Sequence, residues 1–343
     1  MNKPLFSVVI PTYKKPSYLK LAIQSVLNQS LKNFELIIID DSSKDKTREI
    51  VNSFNNKKIL YIENKSNIGV ALNIKKAFSI AKGKYIFLLG DDDIILKKDT
   101  FLSIYKDLEK TKAGYCQLGY IYYENNILKP SFINNPYKKK IYLPPSKDIL
   151  IKTLDWHFGS MSGSVFKKDL IKIDDIINNV WWIYFIVLYK ILFSHKCLYI
   201  ADHFILAKIS SIGNISYVDI KKNKGFYMNK LFEIYKQFDK STKRFNTFLK
   251  YRLDVVVNTL PGIKFYSSTS NILNIIREII LLRKNYLFEF NFWLKSIIAI
   301  FCPKIILSIM RKIRIIIGSY QIRSYLLKIN FDKYIAEFLY NVS

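Results

Sequence analysis

The sequence predicts an α/β protein that begins with a mostly parallel, doubly wound sheet and continues into a helical, basic region. Strand and helix patterns alternate through the first 90 residues, and the strands are nearly continuous apolar runs, as is typical of parallel strands buried on both faces. From about Phe226 onward the pattern is helical and basic. The length of 343 residues allows two domains, and we expect an α/β domain over residues 1–220 and a helical region over residues 221–343.

The predicted elements follow one another along the chain. The β-branched run FSVVI at residues 6–10 predicts a strand that ends at Pro11, and apolar residues at helical spacing predict a helix over residues 17–29 with Ser17 as its N-cap. A later helix is expected to close at Gly83. The other predicted elements are strands at 34–40, 59–63, 84–90 and 114–126, and helices at 44–54, 69–83 and 100–110. The mixed, apolar stretch 155–216 is expected to complete the sheet and cover its cleft.

Three polar clusters follow strands of this sheet: PTYKK, DDSSKDKT and GDDD. In doubly wound sheets, ligands bind outside the carboxyl ends of the strands, so these clusters predict one binding edge. Two carboxylates about 4 Å apart repel by roughly 4 kcal/mol at an effective dielectric of 20. A divalent cation would reverse the sign of that interaction, and a carboxylate pair can hold Mg²⁺ or Mn²⁺ against a diphosphate.

Several common kinds of site are disfavoured by the sequence. It contains neither GxGxxG after the first strand nor GxxxxGK[ST], which disfavours a dinucleotide fold and a P-loop. Its three cysteines are far apart and form no CxxC or Cys/His cluster, so neither a disulfide framework nor a zinc site is expected. We identify no signal peptide and expect a cytoplasmic protein. A metal-binding edge without a glycine-rich phosphate loop favours a nucleotide-diphosphate donor.

The net charge of +27 predicts an anionic partner, which could be nucleic acid, anionic lipid or a phosphorylated substrate; a lysine-rich surface without such a partner is the alternative. No RNP-like, zinc-finger or helix-turn-helix signature is present, so nucleic acid is not expected.

A mostly apolar stretch near the C-terminus raises the question of a membrane span. Residues 296–310 are shorter than the ~20 residues that a span needs. They contain Lys304, and a lysine at the bilayer centre costs about 2.5–3.5 kcal/mol. Because basic residues follow at 311–323, a helix pair on an anionic membrane surface fits better than a span. Ordinary core helices are the alternative.

The sequence resembles the family 2 glycosyltransferases of the GT-A fold. The resemblance is carried by SVVIPTYKKPSYLKLAIQSVLNQSLKNFELIIIDDSSKDKT, NKSNIGVALNIKKAF and GKYIFLLGDDDII, in order over roughly residues 5–125. It weakens across residues 150–220. The GDDD motif, SGSVFKKDLI and the later IGNIS resemble the branch that builds bacterial surface polysaccharides.

The resemblance implies roles for residues of all three clusters. Residues 11–13 would line the base and ribose, Asp40 and Asp41 would bind the uracil or thymine edge, and Asp91 would contact ribose or metal. Asp92 would be the main ligand of Mn²⁺ or Mg²⁺, with Asp93 assisting. The implied nucleotide-sugar-binding residues are Pro11, Thr12, Tyr13, Asp40, Asp41, Asn67, Gly69, Asn73 and Asp91.

The resemblance further implies a metal-dependent, inverting enzyme that transfers a sugar from a UDP- or dTDP-sugar to a lipid-linked or glycan acceptor for O-antigen or capsule synthesis. It would act at the inner face of the cell membrane. The catalytic base stays open, because the stretch NNVWWIYFIVLYKIL contains no acid; the candidates are Asp155, His157 and Asp175. The alternative function is a non-enzymatic binder of anionic lipid or nucleic acid on a glycosyltransferase-like scaffold.

Overall fold

The computed structural model describes residues 3–123, 127, 130–134, 140–146, 160–173, 183–208, 242–263, 269–310 and 331–340. These residues form two compact units. The first contains the described residues up to Lys208 together with the helix Phe331–Tyr340, and the second contains the described residues between 242 and 310. The expected boundary lies at residue 220, with the terminal helix in the second region, whereas by its contacts this helix groups with the sheet.

The first unit is an α/β sheet whose strands and helices alternate as far as α4. Its helices are α1 (Pro16–Leu27), α2 (Thr47–Ser53), α3 (Val70–Ile80), α4 (Thr100–Thr111) and α5 (Ile183–Ser194). Its strands are β1 (Phe6–Thr12), β2 (Phe34–Asp40), β3 (Ile59–Glu63), β4 (Tyr85–Leu88), β5 (Ile94–Ile95), β6 (Tyr115–Tyr123), β7 (Pro130–Asn134), β8 (Ile141–Leu143), β9 (Ser164–Lys167) and β10 (Cys197–Lys208).

The strand order of the main sheet is β3-β2-β1-β4-β9-β6-β10-β5, with β7 paired to β6 and β8 to β10. The neighbours β3, β2, β1 and β4 are parallel, and so are β6 and β10. Strand β9 runs antiparallel between β4 and β6. The predicted α/β class with a largely parallel sheet is therefore confirmed, and the described part of the stretch 155–216 adds β9 and β10 to the sheet.

Helices cover both faces of the sheet because the strands are apolar on both. Phe6, Val8 and Ile10 of β1 are buried in one core cluster with residues of α1 and α4. Helix α3 contacts β1, β2 and α5, and Phe78 of α3 packs against Phe166 of β9 with ring centroids 5.8 Å apart. This layering fixes the carboxyl ends of β1, β2 and β4 side by side.

A smaller core cluster joins the far end of the sheet to the terminal helix, which is α9 (Phe331–Tyr340) in chain order because the labelled helices of the second unit precede it. Phe331, Ile335 and Phe338 of α9 are buried with apolar residues of β5, β6 and β10 and with Leu96, which follows β5. Those partners are Ile94, Leu96, Ile121, Tyr123 and Leu206. Since Ile94 directly follows the GDDD motif, α9 supports the segment that leaves the acidic turn.

Two predicted helix boundaries are wrong. Ser17 is not the N-cap of α1, because Pro16 already occupies the first turn and Lys15 holds the N-cap position. Gly83 does not close α3, which ends at Ile80 with Ala81 in an extended conformation. Gly83 is instead required by close packing, since a Cβ there would lie 2.4 Å from the backbone nitrogen of Ser7.

The second unit is helical. It contains α6 (Thr242–Ile263), α7 (Thr269–Leu282) and α8 (Phe290–Phe301), and residues 304–310 are also helical. Tyr286 is fully buried, and its hydroxyl donates to Asp254 Oδ1 at 2.6 Å, which ties the α7–α8 connection to α6. Among the described residues, no helix combines the length and the apolar character needed to cross a bilayer.

Candidate functional site

The acidic turn after β4 meets the turn after β1. The two strands are parallel neighbours, with Val9 opposite Leu88, so their carboxyl ends lie together. Thr12 Oγ1 donates to Asp91 Oδ2 at 3.0 Å, and the Tyr13 amide donates to the same oxygen at 3.3 Å. The sheet pattern predicted that PTYKK and GDDD lie at the same edge, and Asp91 makes the contact between them.

Lys15 connects two of the three aspartates. Its Nζ lies 3.1 Å from Asp91 Oδ1 and 2.8 Å from Asp92 Oδ2. The side chains of Asp91 and Asp92 are 10% and 13% exposed, whereas that of Lys15 is 39% exposed. Two nearly buried carboxylate oxygens therefore converge on one positive atom that still faces solvent.

Burial and mutual charge set the protonation of this cluster. Burial raises the pKa of Asp91, although Lys15 and the Thr12 hydroxyl oppose that shift. Burial by itself would lower the pKa of Lys15, but the charges of Asp91 and Asp92 outweigh it and raise that pKa. The lysine is consequently held in its charged form between the two acids.

Asp93 faces away from Lys15 and into the sheet. Its Oδ1 accepts a hydrogen bond from the Lys208 amide at 3.0 Å, and its Oδ2 accepts one from Ser162 Oγ. Burial and the nearby Asp92 raise the pKa of Asp93 to about 7. Gly90 leaves room for this arrangement, because a Cβ there would lie 2.7 Å from Asp93 Oδ2. Asp93 thus joins the acidic turn to β10 and to the turn before β9.

Asp41 organises the loop before α3. Its Oδ1 accepts from the Ile68 amide at 2.8 Å and from Asn64 Nδ2 at 3.1 Å, and its Oδ2 accepts from the Gly69 amide at 2.8 Å. The residue is 3% exposed. Gly69 has φ 87° and ψ 154°, a conformation essentially restricted to glycine.

Asp40 is also occupied by donors from the protein. Its Oδ1 accepts from the Ser43 amide at 3.0 Å, and its Oδ2 accepts from the Tyr61 hydroxyl at 2.6 Å. Ser43 Oγ in turn accepts from the Lys14 amide at 3.0 Å. The two adjacent aspartates therefore shape the loops around the edge, Asp40 on the side of β1 and Asp41 on the side of α3.

The remaining predicted donor-pocket residues take different positions. Pro11 is buried within β1, opposite Ile39 of β2. Asn73 is buried on α3, where its Oδ1 accepts from Asn64 Nδ2 at 2.6 Å. Asn67 is exposed and lies on the wall of a cleft. Asn73 thus contacts Asn64, which in turn donates to Asp41, whereas Asn67 lines the cleft itself.

That cleft has a volume of about 560 Å³ and is lined by the turns after β1 and β2 and by the loop before α3. The ring of Tyr13, 41% exposed, lies on its wall, while the amide of the same residue binds Asp91. Its lining residues are Tyr13, Lys14, Ser42, Ser43, Lys44, Asp45, Lys65, Ser66 and Asn67. An aromatic ring, backbone turns and three lysines suit a planar, anionic ligand.

The candidate bases Asp155, His157 and Asp175 lie outside the described residues. Lys15 and Ser162, whose side chains contact the acidic turn, were not singled out from the sequence. Lys15 lies in the motif PTYKK, but nothing in the spacing distinguishes it from Lys14. Ser162 lies in SGSVFKKDLI, and its contact with Asp93 depends on β9 pairing with β4, which a local pattern does not reveal.

Comparison with known proteins relates the first half of the chain to a family. A family model described as glycosyl transferase family 2 matches residues 7–173. An uncharacterized glycosyltransferase of Methanocaldococcus jannaschii is 37% identical over 146 residues, which are 41% of this chain and 50% of the relative. A putative teichuronic acid biosynthesis glycosyltransferase of Bacillus subtilis, TuaG, is 36% identical over 35% of this chain and 47% of its own length. The chain thus spans about half the length of these curated relatives.

The fold extends further than the sequence similarity. The crystal structure of S. aureus TarS 1-349 superposes with a TM-score of 0.61 at 17% identity, covering 86% of this chain and 88% of that one. A TarS structure in complex with UDP-GlcNAc gives a TM-score of 0.59 at 15% identity, covering 86% of this chain and 89% of that one. At this level of identity the likeness concerns the fold alone, and it confirms the predicted GT-A fold.

Proposed function

Residues 7–173 of this chain belong to glycosyl transferase family 2, and from that premise we propose that the protein transfers a sugar from a UDP- or dTDP-sugar to a lipid-linked or glycan acceptor. The product would be part of a cell-surface polysaccharide, and the transfer would invert the anomeric centre. The observation that supports the proposal is the contact of Tyr13, whose ring lines the cleft, with Asp91, which forms an acid pair with Asp92 around Lys15.

The acid pair fits a divalent cation. Asp91 Oδ1 and Asp92 Oδ2 converge on one point, where Lys15 Nζ lies about 3 Å from both. Carboxylate oxygens are the ligands that Mg²⁺ prefers, and it is often bound by one or two carboxylates plus substrate phosphates. Within the described ranges, no group of three or more acidic, histidine or cysteine side chains is arranged to hold an ion, so phosphate oxygens and water would complete the shell. When bound, Mn²⁺ or Mg²⁺ would neutralise charge on the leaving diphosphate.

The cleft fits the nucleoside. The exposed ring of Tyr13 offers a face on which a uracil or thymine base can stack. Asp40 and Asp41 fix the loops on both sides, and Lys14, Lys44 and Lys65 give the cleft a positive potential for an anionic donor. We assign Asp93 to positioning, because both of its oxygens bind protein donors on β10 and before β9.

The second unit carries a surface that fits an anionic membrane. Around α8, Phe288 is 90% exposed, Phe290 80% and Phe301 74%. The exposed Lys284 and Lys304 flank these rings. Exposed aromatic side chains beside lysines are the composition of a segment that lies in the headgroup region. We propose that this surface holds the enzyme at the inner face of the cell membrane, where a lipid-linked acceptor would be presented.

Calorimetric titration of UDP into the protein, with and without Mn²⁺, tests the donor site. We expect Mn²⁺-dependent binding that is lost in Asp92→Asn. The matched control is Asp99→Asn, an exposed aspartate at the start of α4 without a side-chain capping bond; it should bind UDP as the wild type does. Failure of the wild-type protein to bind UDP, dTDP, GDP or CDP under any metal condition would overturn the proposal.

A further inference from the structure

Lys15 occupies the point at which the two aspartate oxygens converge, and it is the part of the site that the family assignment leaves without a role. Its Nζ is 2.8 Å from Asp92 Oδ2 and 3.1 Å from Asp91 Oδ1. A divalent ion bound by the same two oxygens would lie 2.0–2.6 Å from each. The ammonium and the metal ion therefore cannot both occupy this point.

From this overlap we propose that Lys15 is an internal counter-ion that competes with the divalent cation for Asp91 and Asp92, so that the metal binds tightly only together with the donor diphosphate. This inference deepens the proposed function and rests on it for the identity of the donor. In physical terms, the Lys15 ammonium and the divalent cation replace one another at the same two carboxylate oxygens.

The geometry allows that exchange. The Lys15 side chain is 39% exposed, so its ammonium can turn toward solvent, whereas the side chains of Asp91 and Asp92 are only 10% and 13% exposed. The backbone of Lys15 need not move, because it is set by the start of α1 at Pro16. The carboxylate of Asp91 is also held in place by Thr12 and Tyr13.

The cost of the exchange depends on what else is present. If the ammonium moves away from the two carboxylates and finds no new acceptor, it loses two charge-assisted hydrogen bonds. A diphosphate brings oxygens that can accept those bonds, and the same group supplies further oxygen ligands to the metal. Metal and donor binding are thus coupled, and each should raise the affinity for the other by the same factor.

Mn²⁺ binding to nucleotide-free protein tests the role of Lys15 directly. Free Mn²⁺ is measured by electron paramagnetic resonance during titration of the wild type, Lys15→Met, Lys15→Arg and Lys20→Met. A neighbouring charge shifts the proton affinity of a carboxylate by about one to three pKa units, which is ten- to a thousandfold. We therefore expect Lys15→Met to bind Mn²⁺ at least about tenfold more tightly than the wild type.

The other variants separate charge from incidental effects. Lys15→Arg keeps a cation beside the acids and should bind Mn²⁺ no more tightly than the wild type. Lys20→Met removes the same charge from an exposed position of α1 and should leave Mn²⁺ binding unchanged. Equal Mn²⁺ affinity of wild type and Lys15→Met would overturn the proposal, and so would an equal gain in Lys15→Arg or Lys20→Met. Thermal unfolding of each variant establishes that it is folded before titration.

A second titration, with saturating UDP, separates this inference from the proposed function. The wild type should gain Mn²⁺ affinity when UDP is added, and Lys15→Met should gain less because its acids are already free. If the wild type binds no nucleotide, the donor assignment fails, whereas the nucleotide-free comparison still decides whether Lys15 competes with the ion. If UDP raises Mn²⁺ affinity equally in both proteins, the coupling through Lys15 is refuted.

Discussion

At the scale of single residues, the binding edge depends on side chains whose hydrogen-bonding capacity is used by neighbouring loops. Asp41 is the example with the widest reach, since its two oxygens accept from the amides of Ile68 and Gly69 and from Asn64. A buried carboxylate with three donors holds a loop in place, because loss of the carboxylate would leave those donors unsatisfied.

Replacement of Asp41 by Asn should therefore destabilise the first unit by about 1–3 kcal/mol. The new amide nitrogen would face a donor at Gly69 or at Ile68. Urea denaturation followed by circular dichroism measures the effect, with Asp99→Asn as a control that should change little. A free energy of unfolding equal to that of the wild type would show that the bonds of Asp41 contribute nothing to stability.

A separate prediction concerns Gly69, because the stability lost on its substitution should come from backbone conformation alone. Nothing lies within 4 Å of a Cβ built at this position, yet its φ of 87° with ψ 154° is a region that other residues avoid. Gly69→Ala should cost about 1–3 kcal/mol without any steric clash. Denaturation of Gly69→Ala beside Asn67→Ala, at an exposed loop position, checks this; equal stability of the two variants would contradict it.

At the scale of elements, the sequence predicted the alternating first half well because each strand and helix there has a strong local pattern. The strands at 34–40 and 59–63 match β2 and β3 in full. The acidic turn and the turn after β1 were expected at one edge for a topological reason, and they meet there. The boundaries of α1 and α3 were wrong, because the spacing of apolar residues does not report a proline at the first turn or the packing of Gly83 on Ser7.

The features that the sequence did not predict depend on contacts between segments far apart in the chain. Lys15 is one of many lysines, and only the approach of β1 to β4 gives it two acidic partners. Ser162 reaches Asp93 because β9 reverses direction between β4 and β6. The sequence of the terminal helix α9 has an ordinary amphipathic pattern, which does not indicate that it packs beside β5.

Helix α9 should matter for the stability of the sheet. Phe331 is 2% exposed and packs in the cluster that contains Ile94 and Leu96. Phe331→Ala should destabilise the first unit by about 3–5 kcal/mol, since it removes a buried aromatic ring. Lys333→Ala, at an exposed position of the same helix, should have a small effect. Equal free energies of unfolding for the two variants would contradict the assignment of α9 to the first unit.

An ion pair between Lys84, directly before β4, and Glu109 of α4 should make the stability depend on pH. Glu109 accepts from Lys84 Nζ at 2.5 Å and from the Tyr85 hydroxyl at 2.8 Å, and the bond from Lys84 lowers the pKa of Glu109. A carboxyl whose pKa is lower in the folded state contributes stability above its unfolded pKa, near 4.3, and loses it as the pH falls through the folded value. Because the pair is partly exposed, its contribution should not exceed about 1 kcal/mol.

The measurement compares the wild type with Glu109→Gln in urea between pH 3 and pH 7. The wild type should be the more stable of the two at pH 7, and the difference should disappear toward pH 3. A difference that is independent of pH would mean that the carboxylate charge has no part in it.

At the scale of the whole molecule, the net positive charge of the chain and the exposed aromatic residues of the second unit both favour binding to an anionic membrane. The net charge is +27, and Phe288 and Phe290 project into solvent. Binding to anionic vesicles should therefore have two components, one weakened by salt and one that depends on the aromatic rings.

The double variant Phe288→Ser/Phe290→Ser should sediment with phosphatidylglycerol vesicles much less than the wild type in 0.15 M salt. Tyr142→Ser removes an exposed aromatic side chain from the first unit and serves as the control. Point substitutions are preferable to a truncation, which would also remove α9 from the sheet. Equal sedimentation of the double variant and the wild type would place the membrane contact elsewhere.

The return of α9 to the sheet also bears on the synthesis of the protein. Ile94 and Leu96 emerge from the ribosome early, while Phe331, Ile335 and Phe338 follow after the whole second unit has been translated. Until then, the apolar surface beside the acidic turn lacks the part of its cover that α9 provides, and such exposed surface is prone to aggregate. A nascent chain released before residue 331 would thus carry every acidic residue of the edge and still lack the helix that supports it. Protein quality control could recognise such a chain by this exposed surface.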